Sequence, residues 1–64
     1  MSNYIKEIKD SGKIIILDDA SKWEVSSIDT FNTRIWMRMD KVSVSVGKMT
    51  NHNQRDQAVS VRRA

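Results

Sequence analysis

The sequence predicts an all-β domain, a small five-stranded barrel of the SH3-like or OB-like kind with one short helical turn in the connector 26–34. Three observations carry this. Apolar residues recur with period two at Val42, Val44 and Val46, and again at Val59 and Val61. A β-branched run, Ile14 to Ile16, stands in the first half. A single domain of 64 residues without Cys has no disulfide to hold it, so its short strands must close on themselves to bury enough surface.

Strands are expected near residues 4–9, 13–17, 22–25, 35–46 (with a break near Met39-Asp40) and 57–62. In the first, Tyr4, Lys6 and Ile8 share a strand face, whereas Ile5 and Ile8 share a helix face; the strand is the reading adopted. Ser11-Gly12 ends the element either way. Lys13-Ile14-Ile15-Ile16-Leu17 is apolar on both faces and suits a central strand. Asp18-Asp19-Ala20-Ser21 is a tight turn. Lys22-Trp23-Glu24-Val25 then alternates, which turns Trp23 and Val25 inward and makes Trp23 the largest expected core side chain.

In the connector, Ser27 is a candidate cap for one helical turn, and the Thr and Asn residues after it disfavour a longer helix. The alternation of Arg34-Ile35-Trp36-Met37-Arg38-Met39 sets Ile35, Met37 and Met39 on one strand face and Arg34, Trp36 and Arg38 on the other. Val42, Val44 and Val46 follow, facing inward, and Gly47-Lys48 marks a turn. The polar stretch Met49 to Asp56 reads as a hairpin loop, and Val59 and Val61 are the inward residues of the last strand.

Eleven basic and eight acidic residues give a net charge of +3, unevenly distributed. Residues 33–64 hold seven bases against two acids, and all five Arg lie there. Interleaved strands would bring the two halves together, so the asymmetry reads first as mutual attraction between them. No run approaches the roughly 18 apolar residues of a membrane span.

Three segments are familiar in combination: Leu17-Asp18-Asp19-Ala20-Ser21-Lys22-Trp23-Glu24-Val25, Ile35-Trp36-Met37-Arg38-Met39-Asp40-Lys41-Val42, and Val59-Ser60-Val61-Arg62-Arg63. Together they resemble a group of small bacterial proteins of unknown function. The pattern of that group is an L-x-D-G-S-x-W-E-V turn and strand, an L-W-x-P-x-D-x-V segment and a closing basic strand. The resemblance spans residues 14–63 and implies a barrel without implying an activity. Many such proteins carry signal peptides or lipoprotein leaders. No apolar run near Met1 suits a signal peptide, so a periplasmic or secreted location would require a leader ahead of it. Ala20 stands where the pattern has Gly, which places a Cβ at a turn position suited to positive φ, and Arg38 stands where Pro is usual.

Catalytic and metal-binding chemistry find little support. His52 is the only His, in a polar loop with Asn51 and Asn53, and Asp56 lies four residues on within reach of it. No strained nucleophile turn precedes any Ser, so His52 reads as a solvated loop residue. Asp18 and Asp19, with Asp29 or Asp40, could supply oxygen ligands, but adjacent Asp residues at a hairpin ordinarily serve the turn. Asp19 and Glu24 flank a hairpin in a chain too short to bury them as an acid–base pair. No cofactor, no metal and no enzymatic activity are expected.

The expectation is a non-catalytic binding or assembly module, engaging a protein partner or a second copy. Charged residues are rarely buried unpaired, so the face of Arg34, Trp36 and Arg38 is expected outward, as an aromatic anchor between two guanidinium groups. The alternative is nucleic-acid binding through the same face, with Arg55, Arg62 and Arg63 extending a phosphate track.

Overall fold

A computed structural model describes residues 2–64, and within them the chain forms six strands, one 3-10 turn and one short α-helical turn. The elements are β1 (Ser2–Lys9), a 3-10 turn (Asp10–Gly12), β2 (Ile14–Leu17), β3 (Lys22–Val25), α1 (Thr30–Thr33), β4 (Lys41–Ser45), β5 (Lys48–Asn51) and β6 (Gln57–Arg63). The strands close into a barrel in the order β1-β2-β3-β6-β5-β4. All neighbours are antiparallel, and β4 returns to β1.

Closure depends on β1 serving two partners. Ser2 to Tyr4 pair with Ser43 to Lys41 of β4, and Ile5 to Lys9 pair with Leu17 to Ile14 of β2. The register shifts between Ile5 and Glu7, a bulge that bends the strand from one partner to the other. The carbonyl of Lys6, at that bulge, accepts a hydrogen bond from Arg38 Nε at 3.1 Å.

The core is Ile5, Ile15, Leu17, Val25, Trp36, Val42, Met49, Val59 and Val61, with Ile8, Trp23 and Val44 packed partly against it. A cross-section this narrow admits one large aromatic, and Trp36 is the one enclosed.

The all-β barrel and the helical turn in 26–34 stand as the sequence predicts, with four differences. First, residues 35–46 are not one strand. The segment from Arg34 to Asp40 crosses the barrel as helix end and turns, and only Lys41–Ser45 pair. Second, the sixth strand is β5, inside the stretch read as a hairpin loop. It is hidden in the sequence because one of its two inward residues is Asn51, fully buried beside Met49. The Asn51 amide is satisfied there, donating to Asp40 Oδ2 at 3.0 Å and accepting from the Asn53 N–H at 2.8 Å.

Third, Val46 is not in the core. Ser45 pairs with Lys48, so Val46 and Gly47 form a two-residue hairpin turn with φ of 40° and 74°, and Val46 is 98% exposed. Fourth, Trp23 is only partly buried. Its indole N–H donates to Ser21 Oγ at 2.9 Å, and the Arg63 guanidinium lies 5.2 Å above its ring. The turn before it runs as anticipated, with Ala20 at a φ of 72°.

Candidate contact surface

The connector between β3 and β4 is the longest excursion from the barrel. It leaves β3 with the Ser26 N–H donating to the Ser60 carbonyl at 2.9 Å. Asp29 precedes α1, but its side chain does not cap the helix. Its Oδ2 instead accepts the Ser60 N–H of β6 at 2.9 Å. Ser27 contributes its carbonyl to Thr30 Oγ1 at 2.9 Å rather than a hydroxyl cap.

Two inward side chains seat the connector. Thr33 is fully buried, and its hydroxyl donates to the Gly12 carbonyl at 2.6 Å. Trp36, 4% exposed, enters the core and donates its indole N–H to Gln57 Oε1 at 2.8 Å. The chain then turns at Met39, whose φ is 75°. Here Asp40 Oδ2 accepts the Met37 N–H at 3.0 Å, and the Met39 N–H donates to the Ile5 carbonyl at 2.8 Å.

Helical geometry separates the expected Arg34, Trp36, Arg38 face. The Arg34 and Trp36 N–H groups donate to the carbonyls of Thr30 and Thr33, so the chain is still coiled there. Two residues in a helix are about 200° apart, so Trp36 points into the barrel while Arg34 points out. Arg38 is also exposed. Trp36 is therefore a core residue and not the surface anchor expected. Arg34 and Arg38 remain on the surface with different neighbours.

Those neighbours are apolar. Asp29, Thr33 and Trp36 fall on the inward side at spacings of four and three, which leaves Ile28, Phe31, Arg34 and Ile35 on the outward side. Met37 and Met39 follow, both exposed. Five of the seven exposed large hydrophobics among the described residues thus lie between Ile28 and Met39. Phe31 is 74% exposed, with the Arg34 guanidinium 5.6 Å from its ring centroid.

The remaining expected site residues are dispersed. Arg62 pairs with Glu24, Nε to Oε1 at 2.6 Å, and Lys13 Nζ approaches the same carboxylate at 3.9 Å. Arg63 covers Trp23, and Arg55 sits in the β5–β6 loop with a φ of 56°. These three, with Arg34 and Arg38 on the connector, occupy three separate parts of the barrel.

His52 is more than a solvated loop residue. It contacts Asp56, as its spacing suggested, and also Ser43 of β4, at 2.8 and 2.7 Å. Ser43 carries no local signal of this contact, because it depends on the register of the β4–β5 ladder, which sets Ser43 opposite Thr50 and His52 beside Lys41 on the same face. Ser21 is likewise a linking residue, donating to Asp19 Oδ1 at 2.5 Å while accepting from Trp23. These bonds from the Ser21 hydroxyl and amide hold the Asp19 carboxyl below its ordinary range. Among the described residues no group of three or more His, Asp or Glu gathers as a metal site, and no helix is long and apolar enough to cross a membrane. Comparison with protein-family models, curated proteins and solved structures finds no match to this chain.

Proposed function

We propose that the chain is a binding module whose contact surface is the connector from Ile28 to Met39, and that its partner is a protein with an apolar site bordered by acidic residues. One observation carries the reading: among the described residues this single segment exposes five large hydrophobic side chains, whereas the rest of the barrel exposes only Tyr4 and Val46. Aromatic, aliphatic and Met side chains beside Arg are the composition of interface anchors.

Charge selects the kind of partner. The only acid between Ile28 and Met39 is Asp29, which turns back to Ser60, so the outward charges there are Arg34 and Arg38. A two-fold contact between copies would oppose guanidinium to guanidinium, which disfavours self-association through this surface. An acidic rim on another protein complements it.

Selection of binders from a random peptide library tests the proposal. Expected binders combine Asp or Glu with aliphatic or aromatic residues, and lose at least tenfold in affinity against Phe31→Asp and Ile35→Asp. A concentration-dependent dimer mass abolished by Phe31→Asp would overturn it in favour of self-association. Salt-sensitive oligonucleotide retention lost with Arg34→Ala and Arg38→Ala would overturn it in favour of nucleic acid.

A further inference from the structure

On the barrel wall, Ser43, His52 and Asp56 form a hydrogen-bonded chain that has no part in the contact surface. His52 Nε2 lies 2.7 Å from Ser43 Oγ, and His52 Nδ1 lies 2.8 Å from Asp56 Oδ1. An ionised carboxylate only accepts hydrogen bonds, so Nδ1 carries the imidazole proton. When the ring is neutral, Nε2 is then an acceptor to which the Ser43 hydroxyl can donate. This is the polarity that general-base activation of a hydroxyl requires.

The loop holding the imidazole is anchored on both sides. The His52 N–H donates to the Lys41 carbonyl at 2.8 Å, and the Lys41 N–H donates to Asn53 Oδ1 at 2.9 Å, two residues before Ser43. Asn53 is tied in turn to buried Asn51, which is bonded to Asp40. Arg55 and Asp56 both adopt left-handed φ, of 56° and 55°, although neither is Gly. The same left-handed φ occurs in turns elsewhere in the chain, at Ala20 and Val46 among others. Here it accompanies the return of the Asp56 carboxylate to the ring.

We propose that Ser43 is an activated nucleophile toward small electrophilic acyl donors, with His52 as its general base and Asp56 as the positioning residue for the imidazole. The proposal is independent of the contact surface. With an activated ester, Ser43 Oγ bonds to the carbonyl carbon and its proton passes to His52 Nε2. The bond from that carbon to the leaving oxygen breaks, the alkoxide departs, and His52 releases the proton to it or to water. The product is an acyl-Ser43. The imidazole is partly open to solvent, at 38% exposure, so the reaction suits small donors that need no cleft.

The test is reaction of the whole chain with p-nitrophenyl acetate and with a small alkyl fluorophosphonate, followed by mapping of the adducts. In the second reaction the Oγ–P bond forms and the P–F bond breaks, releasing fluoride. Both reagents are expected to label Ser43 at least tenfold faster than Ser45, which stands two residues on along β4. Ser43→Ala and His52→Gln should abolish that excess. Asp56→Asn should reduce it at least fivefold with an unchanged melting temperature, and Asp56→Glu should restore part of it. Equal labelling of Ser43 and Ser45 in the unaltered chain would overturn the proposal without recourse to any variant. So would an acetyl burst that survives Ser43→Ala, which would mean that another group, the His52 imidazole or a Lys amine, is the nucleophile.

Discussion

Gly12 decides how the connector sits on the barrel, and replacing it with Ala measures that contact. Its φ is 97°, a conformation that costs an L residue about 1–2 kcal/mol. A Cβ there would lie 2.6 Å from Thr33 Oγ1 and 3.0 Å from both the Arg34 nitrogen and the Thr33 carbonyl carbon. Thr33 cannot simply swing aside, because its hydroxyl is bonded to the Gly12 carbonyl itself and to that of Thr30. Overpacking of this kind costs about 1–3 kcal/mol more. The expected loss is about 2–5 kcal/mol, against a total stability of roughly 3–10 kcal/mol for a chain of this size. In a domain this small each kcal/mol moves the melting temperature by about 4–8 °C, so a fall of roughly 10–40 °C is expected. Gly47→Ala is the control. Its φ of 74° carries the same kind of backbone cost, but its Cβ would come no nearer than 3.7 Å, to the Val61 carbonyl oxygen. Thermal unfolding followed by circular dichroism should show Gly12→Ala falling well below Gly47→Ala. In the Gly12→Ala background, Thr33→Ala should cost less than it does alone. Equal melting temperatures for the two Gly variants would refute the reasoning, since they would show that nothing crowds position 12.

Val46→Asn should raise stability by about 1 kcal/mol, because Asn tolerates the left-handed turn position that β-branched Val resists and the Val46 side chain packs on nothing; an unchanged or lower melting temperature would show the turn is unstrained. Trp36→Ala should cost about 3–5 kcal/mol by chemical denaturation, and Trp23→Ala roughly half of that, since only Trp36 is enclosed; the reverse ranking would contradict the observed core. The fold favours the ionised Asp19 carboxyl, so its contribution is complete above the ordinary Asp range and is lost as pH falls through the lowered folded-state value. Asp19→Asn should therefore lose less stability than the parent chain between neutral and strongly acidic pH, and parallel losses would show that Asp19 contributes nothing.

Local pattern made much of the barrel legible. Strands β2, β3, β4 and β6 were visible because their inward residues are Ile, Leu, Val or Trp at period two, and a short-range period needs no knowledge of the partner strand. β5 was not, because Asn51 is polar and its burial is permitted only by Asp40 and Asn53, which the fold brings to it. Val46 misled for a complementary reason: it continues the alternation of its strand by one residue, and pairing of Ser45 with Lys48 ends the strand before it. The site was less legible than the fold. Reading Arg34 to Met39 as a strand correctly exposed both Arg residues but exposed Trp36 with them, because the helical turn extends three residues beyond α1.

The sequence by itself determined that this chain is a β-barrel, where its main turns fall, and that its Arg residues face water. These follow from period, turn chemistry and the cost of burying unpaired charge, all of which act over a few residues. Only the tertiary structure decided which Trp fills the core, which apolar side chains remain outside, and that Ser43 joins the His52–Asp56 pair. Each of those depends on how much volume six closing strands leave between them, and on which strands pair in which register. Such quantities belong to contacts between residues distant in the chain, and no local pattern encodes them.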